Sequence, residues 1–265
     1  MNVALLSLWA LVAGAAQPAP VEFPGRALYP AVPVIEMNDL ARNFARYVVV
    51  DVRSPYEYEI LHIKGAFNIP LADKDFVERM RRLRASSPKP IVVYCNGKTC
   101  MKSYKAATKC RRYEIANVLA YDRGIMDWAR YHPRLAVLLG QTPVDPGRLI
   151  SKSRFQKHLL DPGRFEADVA TGRPIVVDIR ERFQREALGL FIGREKRVNI
   201  GDHSALEKII AQARRERRPL YIYDAAGKQV RWLQYFLEDR GARDYWFMKG
   251  GARAYFNMLR AKYVR

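Results

Sequence analysis

Short apolar runs recur along the chain, and each stops at a polar turn. YVVVD (47–51), KPIVVY (89–94), NVLAY (117–121), PIVVD (174–178) and LYIY (220–223) are continuous rather than alternating. That is the pattern of strands buried on both faces. Between them lie stretches with helical spacing. Residues 36–45 form one, with Asn38 as its N-cap. At 54–57, Ser54 fits the N-cap, Pro55 the first helical position and Glu57 the third. Residues 75–83, 101–109 and 123–128 complete the set, and HIKGAFNIP (62–70) reads as a loop running into a short strand. Strands alternating with helices predict an α/β fold, a mostly parallel sheet covered by helices on both faces. In such sheets ligands bind beyond the carboxyl ends of the strands.

The pattern occurs twice. PIVVDIR (174–180) mirrors YVVVDVR (47–53), and KGGARAY (249–255) mirrors DRGIMDW (122–128). Asp51 and Asp178 stand 127 residues apart, and so do Gly124 and Gly251. Between these landmarks LYIYDAAGK (220–228) mirrors VVYCNGK (92–98), so that Asp224 stands where Cys95 does. Two copies of this size predict a tandem duplication rather than a solenoid.

The stretch with the clearest chemistry is IVVYCNGKTCM (91–101). A buried strand delivers Cys95 to a polar, glycine-bearing turn that opens onto a helix N-terminus. Free backbone N–H groups and the helix dipole favour a thiolate there, and Lys98 and Lys102 add positive charge. Cys95 is therefore the expected nucleophile, with a lowered thiol pKa. Cys100 reads as a small residue at the helix start; a disulfide or a persulfide-resolving partnership with Cys95 is the alternative. Cys110 and Trp128 read as core. Sequence spacing offers no metal-ligand cluster and implies no cofactor.

Composition narrows the class. With 49% hydrophobic and 28% charged residues the chain is globular, not disordered. Three cysteines exclude a disulfide framework. The net charge of +19 attracts anions. The runs RMRRLR (79–84) and RRERR (214–218) fall within expected helices and read as solvated faces. No zinc-finger spacing or aromatic-basic motif points to nucleic acid. Residues 1–16 read as a signal peptide, although no Lys or Arg precedes their apolar run, which is too short for a stable membrane span. The expected location is periplasmic or secreted, with membrane-surface or cytoplasmic as the alternative. Five prolines make 17–34 an extended leader outside the core.

Asp51-Val-Arg53, HIKGAFNIP (62–70), YCNG (94–97) and RGIMDW (123–128), in that order, resemble a rhodanese domain. The resemblance is close over residues 35–135 and loose over the second copy. It implies an active domain at 35–135, a linker at 136–150 and an inactive rhodanese-like domain at 151–265. It also implies a sulfurtransferase that takes sulfane sulfur from thiosulfate or a related donor, holds it as a persulfide on Cys95, and yields it to a thiophilic acceptor. Both partners would be small molecules, or the acceptor a protein thiol. Asn96, Gly97, Lys98, Thr99, Cys100 and Lys102 would line the donor site. Asp51 and Arg53 would form a structural pair, with His62 bracing the loop beside them. The loop runs a residue or two longer than is usual in that family. Its sixth residue after Cys95 is Met101, which disfavours the related Cys-x5-Arg phosphatases. The alternative function is a non-catalytic or redox-sensing module that binds an anionic partner.

Overall fold

Every residue of the strand Ile91–Tyr94 is buried, and the first of two parallel sheets is laid out around it. The structure is a computed structural model that describes residues 22–181, 184 and 189–263. Its strands are β1 (Val48–Asp51), β2 (Leu61–Ile63), β3 (Phe67–Asn68), β4 (Ile91–Tyr94), β5 (Val118–Tyr121) and β6 (Ala136–Leu138). They continue with β7 (Leu159–Leu160), β8 (Ile175–Asp178), β9 (Glu195–Arg197), β10 (Leu220–Tyr223) and β11 (Tyr245–Met248). The helices of the first half are α1 (Pro24–Leu28), α2 (Met37–Arg42), α3 (Pro55–Ile60), α4 (Phe76–Ser86), α5 (Lys102–Arg112) and α6 (Gly124–Tyr131). Those of the second are α7 (Lys152–Gln156), α8 (Pro162–Ala170), α9 (His203–Glu216), α10 (Val230–Asp239) and α11 (Gly251–Tyr263).

The first sheet has the order β3-β1-β4-β5 and the second β7-β11-β10-β8-β9, all pairs parallel. Beyond β5 the chain adds one parallel bridge, Val34 to Ala120, at the edge where β7 lies in the second sheet. The α/β class and the parallel sheets are as the apolar runs predict. Alternate residues of β1 and β4 face opposite ways: Val49 and Val92 join one core cluster, Val50 and Val93 another. The cluster containing Val49 and Val92 continues through Ile60 and Trp128 to Val177, Leu233 and Phe236, so the inner faces of both sheets share one core.

Several boundaries differ from the sequence expectation. The leader is not extended beside the fold. Residues 24–28 are helical, Val32 is buried, and Pro33 accepts the Ala120 N–H at 2.9 Å. Proline suits a first helical turn, which is where Pro24 sits. The stretch expected to open a linker at 136 is instead β6, antiparallel to β2, so His62 lies in a strand and not a loop. Glu36 rather than Asn38 is the N-cap of α2. The capping box at Ser54 forms as read, with both of its hydrogen bonds present. Cys110 and Trp128 are buried core residues as expected. The expected signal peptide at 1–16 lies outside the described residues. Among the described residues no helix is long and apolar enough to cross a membrane.

Candidate active site

β1 and β4 run side by side, with Asp51 opposite Tyr94, so the two strand ends bring Asp51, Arg53 and the 95–101 loop together. Asp51 and Arg53 are fully buried and paired. Arg53 Nε donates to Asp51 Oδ1 at 2.9 Å, and the Arg53 backbone N–H donates to the same oxygen at 2.9 Å. A buried guanidinium is tolerable only when its donors are met. Arg53 therefore also donates to the Leu61 carbonyl and, through Nη1, to Asn96 Oδ1 at 3.2 Å. Burial alone would lower its pKa, but the Asp51 carboxylate outweighs burial and raises it. Asn96 Nδ2 donates to Glu57 Oε1 at 2.9 Å. Glu57, at the third position of α3, thus ties the loop to that helix, a role that its place in the capping box did not reveal.

His62 flanks this network: its Nδ1 is 2.7 Å from the Tyr58 carbonyl, its ring stacks on Tyr58 at 4.1 Å, and the Asp51 and Arg53 charges both act on it, while Asn96 and Glu57 make the hydrogen bonds to the loop. The loop's other flank is fixed by Gly124, the first residue of α6. A Cβ there would meet Gly97 N at 2.3 Å, and its φ of +73° favours glycine. The Ile125 N–H then donates to the Cys95 carbonyl at 3.0 Å.

The two thiols sit differently from the expectation. Cys95 is 1% exposed and belongs to the core cluster of Val50 and Val93. Its sulfur lies 3.2 Å from the Cys100 carbonyl and 3.7 Å from Ser103 Oγ, and the Ser103 backbone and hydroxyl also hydrogen-bond it in the sense that favours the thiolate. Burial, and the hydrogen bond it donates to the Cys100 thiol, push its pKa well up, not down. Cys100 is half-buried and its sulfur faces donors. The Cys95 thiol and the backbone N–H groups of Lys102 and Asn96 all donate to it; together with the Lys102 charge they outweigh burial and bring it to about 6. Backbone N–H groups thus reach both sulfurs, that of Ser103 at Cys95 and those of Asn96 and Lys102 at Cys100. Sequence spacing places both cysteines in one loop; it does not say which way each carbonyl turns.

The two lysines are engaged as well. Lys98 Nζ lies 2.6 Å from Glu22 Oε1, and the Phe23 ring sits 5.5 Å from both Lys98 Nζ and the Arg123 guanidinium. The segment ahead of α1 therefore lies across one side of the loop, a contact nothing in the motif announced. Lys102 Nζ is 4.0 Å from Glu57 Oε2, with nearly half of its side chain exposed. Thr99 is exposed, and Gly97 accepts the Cys100 N–H through its carbonyl at 2.8 Å.

The second sheet repeats the same frame. Arg180 Nε donates to Asp178 Oδ1 at 3.0 Å. The Ala252 N–H donates to the Asp224 carbonyl at 2.8 Å, and a Cβ on Gly251 would meet that carbonyl at 2.5 Å. Asp224 is buried at the end of β10, and its carboxylate accepts N–H groups from Ala226, Gly227, Gln229 and Val230. Trp232, one turn into α10, reaches the first sheet's frame, with its ring 5.0 Å from the Arg53 guanidinium. Among the described residues no cluster of His, Cys, Asp and Glu is placed to hold a metal ion.

Comparison with known proteins agrees with this frame. The profile of the rhodanese-like domain matches residues 36–131. The HTH-type transcriptional regulator Rv0324 of Mycobacterium tuberculosis is 35% identical over 106 residues, 40% of this chain and 41% of that protein. The thiosulfate:glutathione sulfurtransferase of Saccharomyces cerevisiae is 29% identical over 94 residues, 32% of this chain and 66% of the enzyme. The uncharacterized protein YqhL of Bacillus subtilis is 31% identical over 91 residues, 34% of this chain and 68% of that protein. The chain thus spans less than half the length of the regulator. Through the frame of Asp51, Arg53, the 95–101 loop and Gly124, this chain belongs to the rhodanese-like family.

Proposed function

We propose that the protein is a sulfurtransferase. It takes sulfane sulfur from a small anionic donor, thiosulfate or a related compound, holds it as a persulfide on the cysteine pair of the 95–101 loop, and passes it to a thiophilic acceptor. The observation that carries this reading is the placement of Cys95 and Cys100 in one loop at the carboxyl end of a parallel sheet, the Cys95 sulfur 3.2 Å from the Cys100 carbonyl, with Lys102 and backbone N–H groups favouring a thiolate at Cys100. A nucleophile held ionised near neutral pH needs no separate base. The name of the yeast relative is consistent with such chemistry.

The same reading makes residues 35–135 the reactive unit and 151–265 a second, non-reactive copy joined to it through the segment containing β6. Support comes from the matching strand order and the matched Asp–Arg pairs. It comes also from Asp224, which cannot carry sulfur and whose carboxylate already fills its own amide cradle. That copy contributes Trp232 against Arg53.

Cyanolysis tests the proposal. Wild type should turn over with thiosulfate or mercaptopyruvate, and the Cys95→Ser/Cys100→Ser double variant should not. Equal rates for the two would reject it, and would favour the reading in which the loop only binds an anionic partner.

A further inference from the structure

Helix α5 leaves the 95–101 loop carrying Lys102, Lys105, Lys109, Arg111 and Arg112, and no Asp or Glu. At about 100° per residue, Lys102, Lys105, Lys109 and Arg112 fall within about 80° of arc, a stripe about 15 Å long that begins beside the thiols. The opposite side of the helix, with Ser103, Tyr104, Ala106, Ala107 and Cys110, is the buried one. The fold does not neutralise the stripe. Lys102 Nζ lies 4.0 Å from Glu57 Oε2, but among the described residues Lys105, Lys109 and Arg112 form no ion pair. Lys109 Nζ lies 5.0 Å from the Phe76 ring of α4, and Arg81 of α4 lies 5.8 Å from the Tyr113 ring, which adds a further cation at the far end. For the helix itself this is a poor arrangement. Like charges three and four residues apart repel, and Lys102 and Lys105 stand in the first turn, where the helix dipole disfavours a cation. The second half shows the same place covered. α10 follows β10 as α5 follows β4, and it buries Trp232, Leu233, Tyr235 and Phe236 in the core shared with the first half. One copy of this helix is closed by an apolar surface; the other is left open and charged.

We propose that the basic stripe of α5 is the docking surface for the sulfur acceptor, and that this acceptor is an acidic segment of a protein with a reactive thiol next to its carboxylates. This rests on the sulfur-transfer reading above and names the class of acceptor for it. Because the stripe starts at the loop, carboxylates seated on Lys105, Lys109 and Arg112 leave the near end of the segment over the loop, where its thiol meets the persulfide. An extended segment covers the length of the stripe in roughly five residues. The acceptor's thiolate then attacks the terminal sulfur of the loop persulfide. The S–S bond to the loop cysteine breaks, that cysteine keeps the electron pair as a thiolate, and the acceptor leaves as a persulfide. Sulfur moves from thiol to thiol, so the step consumes no oxidant or reductant. Nucleic acid fits the stripe less well. Single strands are held by bases stacked on free aromatic faces, and Tyr113 at the far end already has Arg81 over its ring.

The test gives the full chain, with thiosulfate as donor, two synthetic acceptors of equal length: a peptide in which a cysteine is followed by glutamates, and the same peptide with glutamines in their place. At low salt wild type should transfer sulfur to the glutamate peptide with kcat/KM roughly tenfold above that for the glutamine peptide, the range of three exposed ion pairs. High salt should erase the difference. Lys105→Gln/Lys109→Gln/Arg112→Gln should lose the preference, and Lys105→Glu/Lys109→Glu/Arg112→Glu should reverse it. Both should keep the wild-type kcat with cyanide as acceptor, which shows that the loop and the fold are intact. The inference is overturned if wild type does not distinguish the two peptides, or if the variants keep its preference. The second outcome, together with lost binding of a mixed-sequence RNA oligonucleotide, would make the stripe a nucleic-acid surface instead. In each of these cases wild type still carries out cyanolysis. A wild type that takes no sulfur from thiosulfate or mercaptopyruvate removes the sulfur-transfer reading itself, and this inference with it.

Discussion

At the scale of single residues, the site turns on which atoms face each sulfur. Cys100 has N–H and S–H donors around it and is brought to about 6, whereas burial raises Cys95 and takes Cys110 to about 12. Alkylation by iodoacetamide, followed by peptide mapping, should therefore label Cys100 with a midpoint near pH 6 and leave the other two almost unlabelled through pH 8. The sign follows from the lowered value: the reactive thiolate is lost as pH falls through it. Sequence spacing made the loop legible, because an apolar strand, a glycine turn and a helix start are local features. It did not make the surroundings of each thiol legible, because they depend on the turn from Gly97 to Cys100 and on the close approach of Gly124. Glu57 makes a similar point. Its place in the capping box was readable, while its second oxygen bonds Asn96, 39 positions away.

Among elements, the least readable was α1. Its prolines signalled an extended chain, yet a proline at a helix start costs nothing, and Arg26 anchors the turn to Asp122 at 2.8 Å. With Glu22 set against Lys98, this segment holds a carboxylate where an anionic donor would bind. Glu22→Ala should lower KM for thiosulfate roughly two- to fivefold, the range of an exposed ion pair, with little change in kcat. β6 was hidden for the opposite reason. Three apolar residues between prolines look like linker until β2 is there to pair with them. At the second sheet, Asp224→Ala leaves several buried N–H groups without their acceptor. Urea unfolding should show a loss of about 2–4 kcal/mol, since hydrogen bonds to a charged group are worth roughly 1.5–3 kcal/mol each and water recovers part of the total.

For the whole molecule, the two sheets share a core, and α10 carries the second sheet's Trp232 onto Arg53. Trp232 is 4% exposed, so Trp232→Ala should cost about 3–5 kcal/mol in stability as a buried aromatic truncation. It should also slow sulfur transfer, because Arg53 holds Asn96 and through it the loop. If the variant unfolds no more readily than wild type, the second half is not packed as described. The repeated landmarks were legible because the same spacing of 127 residues separates them in both halves. The shared core was not, because apolar runs show that a face is buried without naming what buries it. The net charge of +19 acts at this scale too. Raising salt from 0.1 to 1 M shortens the screening length from about 10 Å to about 3 Å, and KM for an anionic donor should rise while kcat holds.

The Asp224 carboxylate has one more consequence. Its cradle comes with a tethered counter-ion and is never vacant for a solute. A heavy anion such as selenate, diffused into crystals of the protein, should therefore give one anomalous peak beside the cysteine loop and none at the equivalent place in the other half. The second sheet thus carries its own blank.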